Sequence, residues 1–225
     1  FSFFPTKVLT TAEGGIVTTD DEQVYRKSQL IRNHGKNPEL GNRMTELGNN
    51  LRISEVTALL GVNQMRKAAE IVRERQRTAG FYDRELPKVA GVRPLELGGN
   101  VTSGYYKYVA YLDEDLDRAQ VKRLMKERHG VSLTGEVYVD LCHTEPLWER
   151  FTYCGKQRAA DGSVVSHRWP GCPCDQPEAG FPGSEYIAKH HICLPLYPGL
   201  TEAEAAYVVG SLDQTLRELR PAGRS

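Results

Sequence analysis

Residues 1–21 read Phe-Ser-Phe-Phe-Pro-Thr-Lys-Val-Leu-Thr-Thr-Ala-Glu-Gly-Gly-Ile-Val-Thr-Thr-Asp-Asp. Lys7 sits among Phe3, Phe4, Pro5, Val8 and Leu9, with no carboxylate nearer than Glu13. Apolar surroundings disfavour a charged ammonium, and an amine must shed its proton before it attacks a carbonyl. Most lysines beside apolar residues merely lay their stems along them, so the setting alone does not decide the chemistry. Gly14-Gly15 followed by Ile16-Val17-Thr18-Thr19 predicts a turn and a short strand. The apolar opening at Phe1–Phe4 and the lack of an initial Met lead us to expect the C-terminal part of a longer polypeptide.

Moving outward, Asp20 with Gln23 has capping-box spacing and predicts a helix through Val24, Leu30 and Ile31 to His34-Gly35. Residues 36–50 are polar and rich in Asn and Gly, and read as a long loop of the kind that carries function. Ser54-Glu55 opens the longest periodic stretch. Val56, Leu59, Leu60, Met65, Ala69 and Val72 share a helical face, continued through Phe81 and Leu86 until Pro87 and Gly91 stop it. Apolar first and charged later, this helix reads as a bridge between domains. Beyond it, Tyr105–Leu112 predicts a strand, Leu116–His129 a helix and Val131–Val139 a second strand. Thr201-Glu-Ala-Glu204 is a capping box opening a final amphipathic helix.

The 225 residues are 40% hydrophobic and 26% charged, enough for a folded core. Twenty-nine basic residues balance 29 acidic ones, which argues against a dedicated nucleic-acid binder. The apolar runs are too short for a membrane span. Five cysteines at irregular spacing read as reduced thiols of a cytoplasmic protein. Cys154, His167, Cys172 and Cys174 lie close together in a Gly-, Pro- and Cys-rich stretch at about 153–182. Zinc pairs more usually carry two residues between the cysteines, so we expect a surface insertion and no metal. His190-His191 beside Cys193 reads as packing at a helix end.

The order of motifs is more specific than any one of them. The segment Ser-Phe-Phe-Pro-Thr-Lys (2–7) with the run to Asp21 resembles the cofactor-lysine segment of the DegT-type (DegT/DnrJ/StrS) pyridoxal-phosphate-dependent sugar aminotransferases, which are fold-type I enzymes. Leu-Ile-Arg-Asn-His-Gly (30–35) resembles that family's helix end, and Gly-Asn-Asn-Leu-Arg-Ile-Ser-Glu (48–55) its Gly-x-Asn-x-Arg-x-Ser-Glu box. Gly-Glu-Val-Tyr (135–138) with Cys142-His143, and Leu-Pro-Leu-Tyr-Pro-Gly-Leu-Thr (194–201), resemble two later segments.

The resemblance implies an α/β protein: the end of a large sheet domain, a connecting helix and a small α/β domain. We therefore expect residues 1–60 to be the tail of a cofactor-binding domain and 61–225 a small C-terminal domain. It also implies that Lys7 carries pyridoxal 5'-phosphate, that Ser2 binds the phosphate, and that Asn50 reaches the cofactor of a second subunit in a homodimer. Arg52 and His143 would face the substrate, Arg52 alternatively serving the loop architecture. The implied reaction is transamination of a keto-sugar, with a nucleotide-linked substrate and a glutamate or glutamine donor as its partners. The family's aspartate on the pyridinium nitrogen lies upstream of the lysine and is not among these residues. The alternatives are a non-catalytic partner or fragment of such an enzyme, or a pyridoxamine-dependent dehydratase. The dehydratase is disfavoured because those relatives carry histidine where this chain has Lys7.

Overall fold

The computed structural model describes residues 1–136, 140–146 and 181–220. They form two compact units, Phe1–Gln76 with Ser103–Tyr106, and Arg77–Thr102 with the residues from Lys107 onward. The division between the compact units falls at Gln76/Arg77, inside a helix.

The first unit starts with a backbone hairpin. Phe3 N donates to Gly14 O at 2.9 Å and Ile16 N donates to Phe1 O at 2.9 Å, around a single antiparallel bridge between Ser2 and Gly15. The strand expected at Ile16–Thr19 does not form; its β-branched residues lack a pairing ladder among the described residues, and Val17 is 69% exposed. Helix α1 spans Glu22–Arg32. Its cap is Asp21, one residue later than expected, whose carboxylate accepts from Gln23 N and Val24 N. The expected loop at 36–50 contains a small hairpin, β1 (Lys36–Asn37) against β2 (Arg43–Met44). Asn37 Oδ1 accepts from Glu39 N, Pro38 sits in the single 3-10 turn that follows, and Gly41 closes it at φ +64°.

Helix α2 runs unbroken over Glu55–Glu85, close to the expected limits. Its C-terminal turns belong to the second unit, where Ala79, Tyr82 and the following Leu86 are fully buried. The sheet there has the antiparallel order β3 (Val92–Pro94), β4 (Tyr108–Leu112), β5 (His191–Leu194). β4 starts later than expected, because Tyr105 is turned out of the extended region at φ +46°. α3 (Arg118–His129) starts after Asp117, whose carboxylate accepts from Ala119 N and Gln120 N, and ends at Gly130 with φ +68°. Residues 131–136 are not a strand, and 137–139 lie outside the described residues. α4 spans Pro182–His190, and α5 spans Glu202–Leu219 behind the expected capping box of Thr201 and Glu204.

α3 and α5 pack together, and Thr215 Oγ1 donates both to Ser211 O and toward Met125 Sδ. Val121, Met125, Ile192, Leu212 and Leu216 form the centre of the core, each fully buried. The rings of Tyr82 and Tyr108 pack at a tilt of 53° with centroids 4.9 Å apart; their hydroxyls donate to Pro195 O and Asp83 Oδ1, respectively. Large apolar side chains buried this way contribute roughly 1.5–3 kcal/mol each, while satisfied phenol hydroxyls avoid the cost of burying an unpaired donor.

His191 is fully buried, and its Nδ1 lies 2.6 Å from Ile187 O. Burial chiefly lowers its pKa below the ordinary 6.5, the Ile187 carbonyl opposes the shift, and Arg118 and Lys122 add to it. The unfolded chain therefore binds the proton first on acidification.

Two outcomes follow. Leu212→Ala should cost about 2–5 kcal/mol in urea denaturation; a loss well under about 1 kcal/mol would contradict the buried position. The contribution of neutral His191 should be complete above about pH 6.5 and decline as the pH falls below it. His191→Gln should flatten that part of the stability–pH profile, and an unchanged slope would count against the burial effect.

Candidate functional site

Lys7 lies in a turn built by the hairpin. Lys7 N donates to Phe4 O at 3.0 Å across Pro5-Thr6, with Pro5 where its fixed φ favours a β-turn. Phe3 O accepts from both Thr11 N and Thr10 Oγ1 at 3.0 Å, and Thr11 Oγ1 donates to Glu13 O at 2.7 Å. Thr11 is only 2% exposed. Its methyl lies where a β-carbon on Gly61 of α2 would come within 2.9 Å, and a β-carbon on Gly14 would come within 3.2 Å of Ile53 Cδ1. The turn is thus packed onto the start of α2. The Lys7 Nζ lies 4.1 Å from the centroid of the Tyr106 ring, and Tyr106 Oη is 3.2 Å from Thr6 Oγ1. Ser2, on the bridge of the same hairpin, accepts from Phe4 N at 3.3 Å.

The segments 30–35 and 48–55 are joined backbone to backbone. His34 N donates to Asn49 O and Asn49 N to Ile31 O, both at 2.9 Å, while Thr45 N donates to Gly35 O at 2.9 Å. Gly35 has φ +68°, and a β-carbon there would lie 1.8 Å from Glu46 O. A β-carbon on Gly48 would lie 2.3 Å from Gly35 N and 2.6 Å from Ile31 O. Both glycines are demanded by this contact. Asn49 Oδ1 accepts from Asn50 N at 2.8 Å, and Arg52 Nη1 donates to Asn33 Oδ1 at 3.2 Å. Arg52 therefore ties its segment to the end of α1.

Ser2, Lys7, Asn50 and Arg52 all belong to the first unit and His143 to the second. The His143 ring lies 4.7 Å from that of Phe181, with Nε2 3.4 Å from Glu185 Oε1. Among the described residues no His, Cys, Asp and Glu group resembles a metal site; Cys154, His167, Cys172 and Cys174 lie outside them. No described helix is long and apolar enough to cross a membrane. A cavity of about 750 Å³ in the second unit is lined by Lys107, His129, Tyr197, Glu204 and Tyr207 among others. Two of its polar groups already serve the fold, Glu204 in the α5 cap and Tyr207 as a donor to His129 O. Tyr106, Thr6, Asn33 and Asn49 were not singled out by the sequence.

A profile of the DegT/DnrJ/EryC1/StrS aminotransferase family matches residues 1–169, three quarters of the chain. The chain belongs to this family. GDP-perosamine synthase of Caulobacter vibrioides is 26% identical over 219 residues, covering 96% of this chain and 52% of that protein. Over 90 residues, 39% of this chain and 24% of the relative, it is 43% identical to the UDP-4-amino-4,6-dideoxy-N-acetyl-beta-L-altrosamine transaminase of Campylobacter jejuni. Among solved structures, the aminotransferase TlmJ of Streptoalloteichus hindustanus is 26% identical with a TM-score of 0.72, covering 97% of this chain and 51% of that one. The chain spans about half the length of the curated relatives that it matches over most of its own. The architecture is the α/β fold of fold-type I transferases, and the family depends on pyridoxal phosphate.

The residues of the first unit fit that cofactor by their donor chemistry. One hairpin carries a primary amine that could take up a carbonyl and a hydroxyl that could donate to a phosphate. The Ser2 oxygen accepts from Phe4 N, which leaves the hydroxyl hydrogen to donate to an anion.

Gly48→Ala should cost about 1–3 kcal/mol or more, because backbone rather than a flexible side chain stands in the way of the new methyl. Gly99→Ala, which meets nothing within 4 Å, should stay within about 0.5 kcal/mol. Equal effects of the two substitutions in urea denaturation would contradict the close backbone contact.

Proposed function

We propose that this chain carries the cofactor lysine and part of the phosphate site of a pyridoxal-phosphate-dependent aminotransferase acting on a keto-sugar. The observation that carries the reading is Lys7 in a braced turn on the same hairpin as Ser2, in a chain of this family. The sugar substrate is argued from the relatives, which include a GDP-perosamine synthase and UDP-amino-sugar transaminases. A nucleotide-linked keto-sugar with glutamate or glutamine as donor is the corresponding reaction, set in a cytoplasmic biosynthetic route. The first unit then corresponds to the tail of the cofactor-binding domain and the second to the small domain.

Bound pyridoxal phosphate supplies a carbonyl to take up an amino group and a ring to accept an electron pair. Lys7 Nζ would hold the cofactor and would move the proton at the Cα of the donor. Ser2 Oγ would donate to the phosphate. Asn50 donates to the phosphate held by a second copy of the protein, which makes the enzyme a two-fold homodimer with composite sites. Support for such an assembly comes from an apolar face on the first turns of α2, where Val56 is 78%, Leu59 69% and Leu60 52% exposed. Arg52 and His143 contribute to substrate binding, Arg52 while braced by Asn33.

Borohydride reduction of the holoenzyme that contains this chain should fix pyridoxal phosphate to Lys7, read by peptide mapping. Lys7→Ala and Lys7→Arg should each lower transamination by at least about two to four orders of magnitude, since neither leaves an amine able to exchange its proton. A label on Lys36, Lys67 or Lys107 would overturn the site. No label on any lysine would favour a non-catalytic partner role.

A further inference from the structure

Tyr106 is grouped with Lys7 in the first unit, although 100 positions separate it from Thr6. The short strap Ser103–Tyr106 is held there from α2. Gln76 Nε2 donates to Ser103 O at 2.9 Å, and Arg75 Nη1 donates to Tyr105 O at 3.0 Å. Arg75 is 8% exposed, so a largely buried guanidinium is committed to a backbone carbonyl. Tyr105 N donates to Ser103 Oγ at 3.0 Å, and Tyr105 itself takes φ +46°. A bulky residue at positive φ is strained and persists only where its surroundings over-determine it. Here the hydrogen bonds do so, and the product of that strain is the placement of the next residue. The Tyr106 ring meets Lys7 Nζ at 4.1 Å, and its hydroxyl meets Thr6 Oγ1 at 3.2 Å.

We propose that Tyr106 is a positioning residue for Lys7: its ring face holds Nζ, and its hydroxyl pins the turn at Thr6 from which the lysine projects. The proposal rests on the reading of Lys7 as the cofactor lysine. A lysine stem has four rotatable carbons, and each turnover requires its amine to return to the same carbonyl. The negative face of an aromatic ring attracts an ammonium within about 6 Å, so the ring favours one location of Nζ whenever the amine is protonated and unbonded. A Thr6–Tyr106 hydrogen bond fixes the two sides of that contact relative to each other. An aliphatic residue would fill the same space and supply neither effect. The reactive atom is thus positioned by residues from both ends of the chain's first hundred or so positions.

The test uses two readouts. In the 225-residue chain, with 13C-labelled lysine, the ε-methylene resonance of Lys7 should be shifted upfield by the ring of Tyr106. Tyr106→Phe should keep that shift and Tyr106→Leu should abolish it, the assignment being made with Lys7→Arg. In the holoenzyme, Tyr106→Leu should slow borohydride-trappable capture of pyridoxal phosphate by about two- to tenfold. It should lower kcat while leaving KM for the amino donor unchanged; Tyr106→Phe, which keeps the ring but loses the Thr6 hydrogen bond, should lower both rates by only about twofold. An unshifted Lys7 resonance in the native chain overturns the contact without needing any variant to fold. Capture on Lys7 at the native rate in Tyr106→Leu overturns the positioning role while the cofactor-lysine reading stands. A label on another lysine with the ring shift intact overturns the reading of Lys7, and with it the role proposed for Tyr106.

Discussion

The close passage of Gly48 over Gly35 leaves no room for a side chain, and much of the first unit depends on it. A β-carbon on Gly48 would come within 2.3 Å of Gly35 N, and one on Gly35 within 1.8 Å of Glu46 O. Because the two backbones touch, His34 and Asn49 can exchange hydrogen bonds with neighbouring carbonyls that would otherwise need water. That junction delivers Asn50 and Arg52 at a defined place beside the end of α1. The segment then runs directly into α2, whose first turns receive Thr11 and so brace the hairpin that bears Lys7. Two motifs far apart in character, a helix end and a polar box, are thereby made into one support.

The turn at Lys7 shows how ordinary backbone chemistry fixes the place from which a side chain projects. Pro5 sets the turn, the carbonyl of Phe3 gathers two donors, and buried Thr11 closes the hairpin from within. None of these contacts involves the amine itself. Packing and hydrogen bonding fix the backbone, and the side chain is left to be directed by what it meets, here the ring of Tyr106. On the proposed reading, changing Lys7 should remove chemistry, whereas changing Thr11 or Gly48 should remove stability. The two kinds of loss are separable, which is the usual relation between reactive groups and their supporting shell.

What the sequence made legible is what depends on neighbours close along the chain. The Thr201–Glu204 capping box is an i, i+3 relation and appears as expected. The α2 pattern, repeated over many turns, located that helix to within a residue at each end. The expected strand at 16–19 failed because β-branched residues signal a strand only where a partner exists. The hairpin β1–β2 was hidden in a polar segment whose turn, Pro38 to Gly41, looks like any loop. β3 is three residues long and has no alternation to detect. Lys7, Ser2 and Asn50 are proposed from the order of family motifs and not from composition. Tyr106 was beyond reach, since its partner lies about a hundred positions away and its orientation depends on the left-handed turn at Tyr105.

The claim at the centre of this account is that the Lys7 hairpin holds pyridoxal phosphate at both ends, by the amine and by the Ser2 hydroxyl. A crystal structure of the holoenzyme containing this chain tests it most directly. The account predicts continuous electron density between Lys7 Nζ and the cofactor, with a phosphate oxygen within hydrogen-bond distance of Ser2 Oγ. Density joining the cofactor to another lysine, or a phosphate held away from the hairpin, would contradict it.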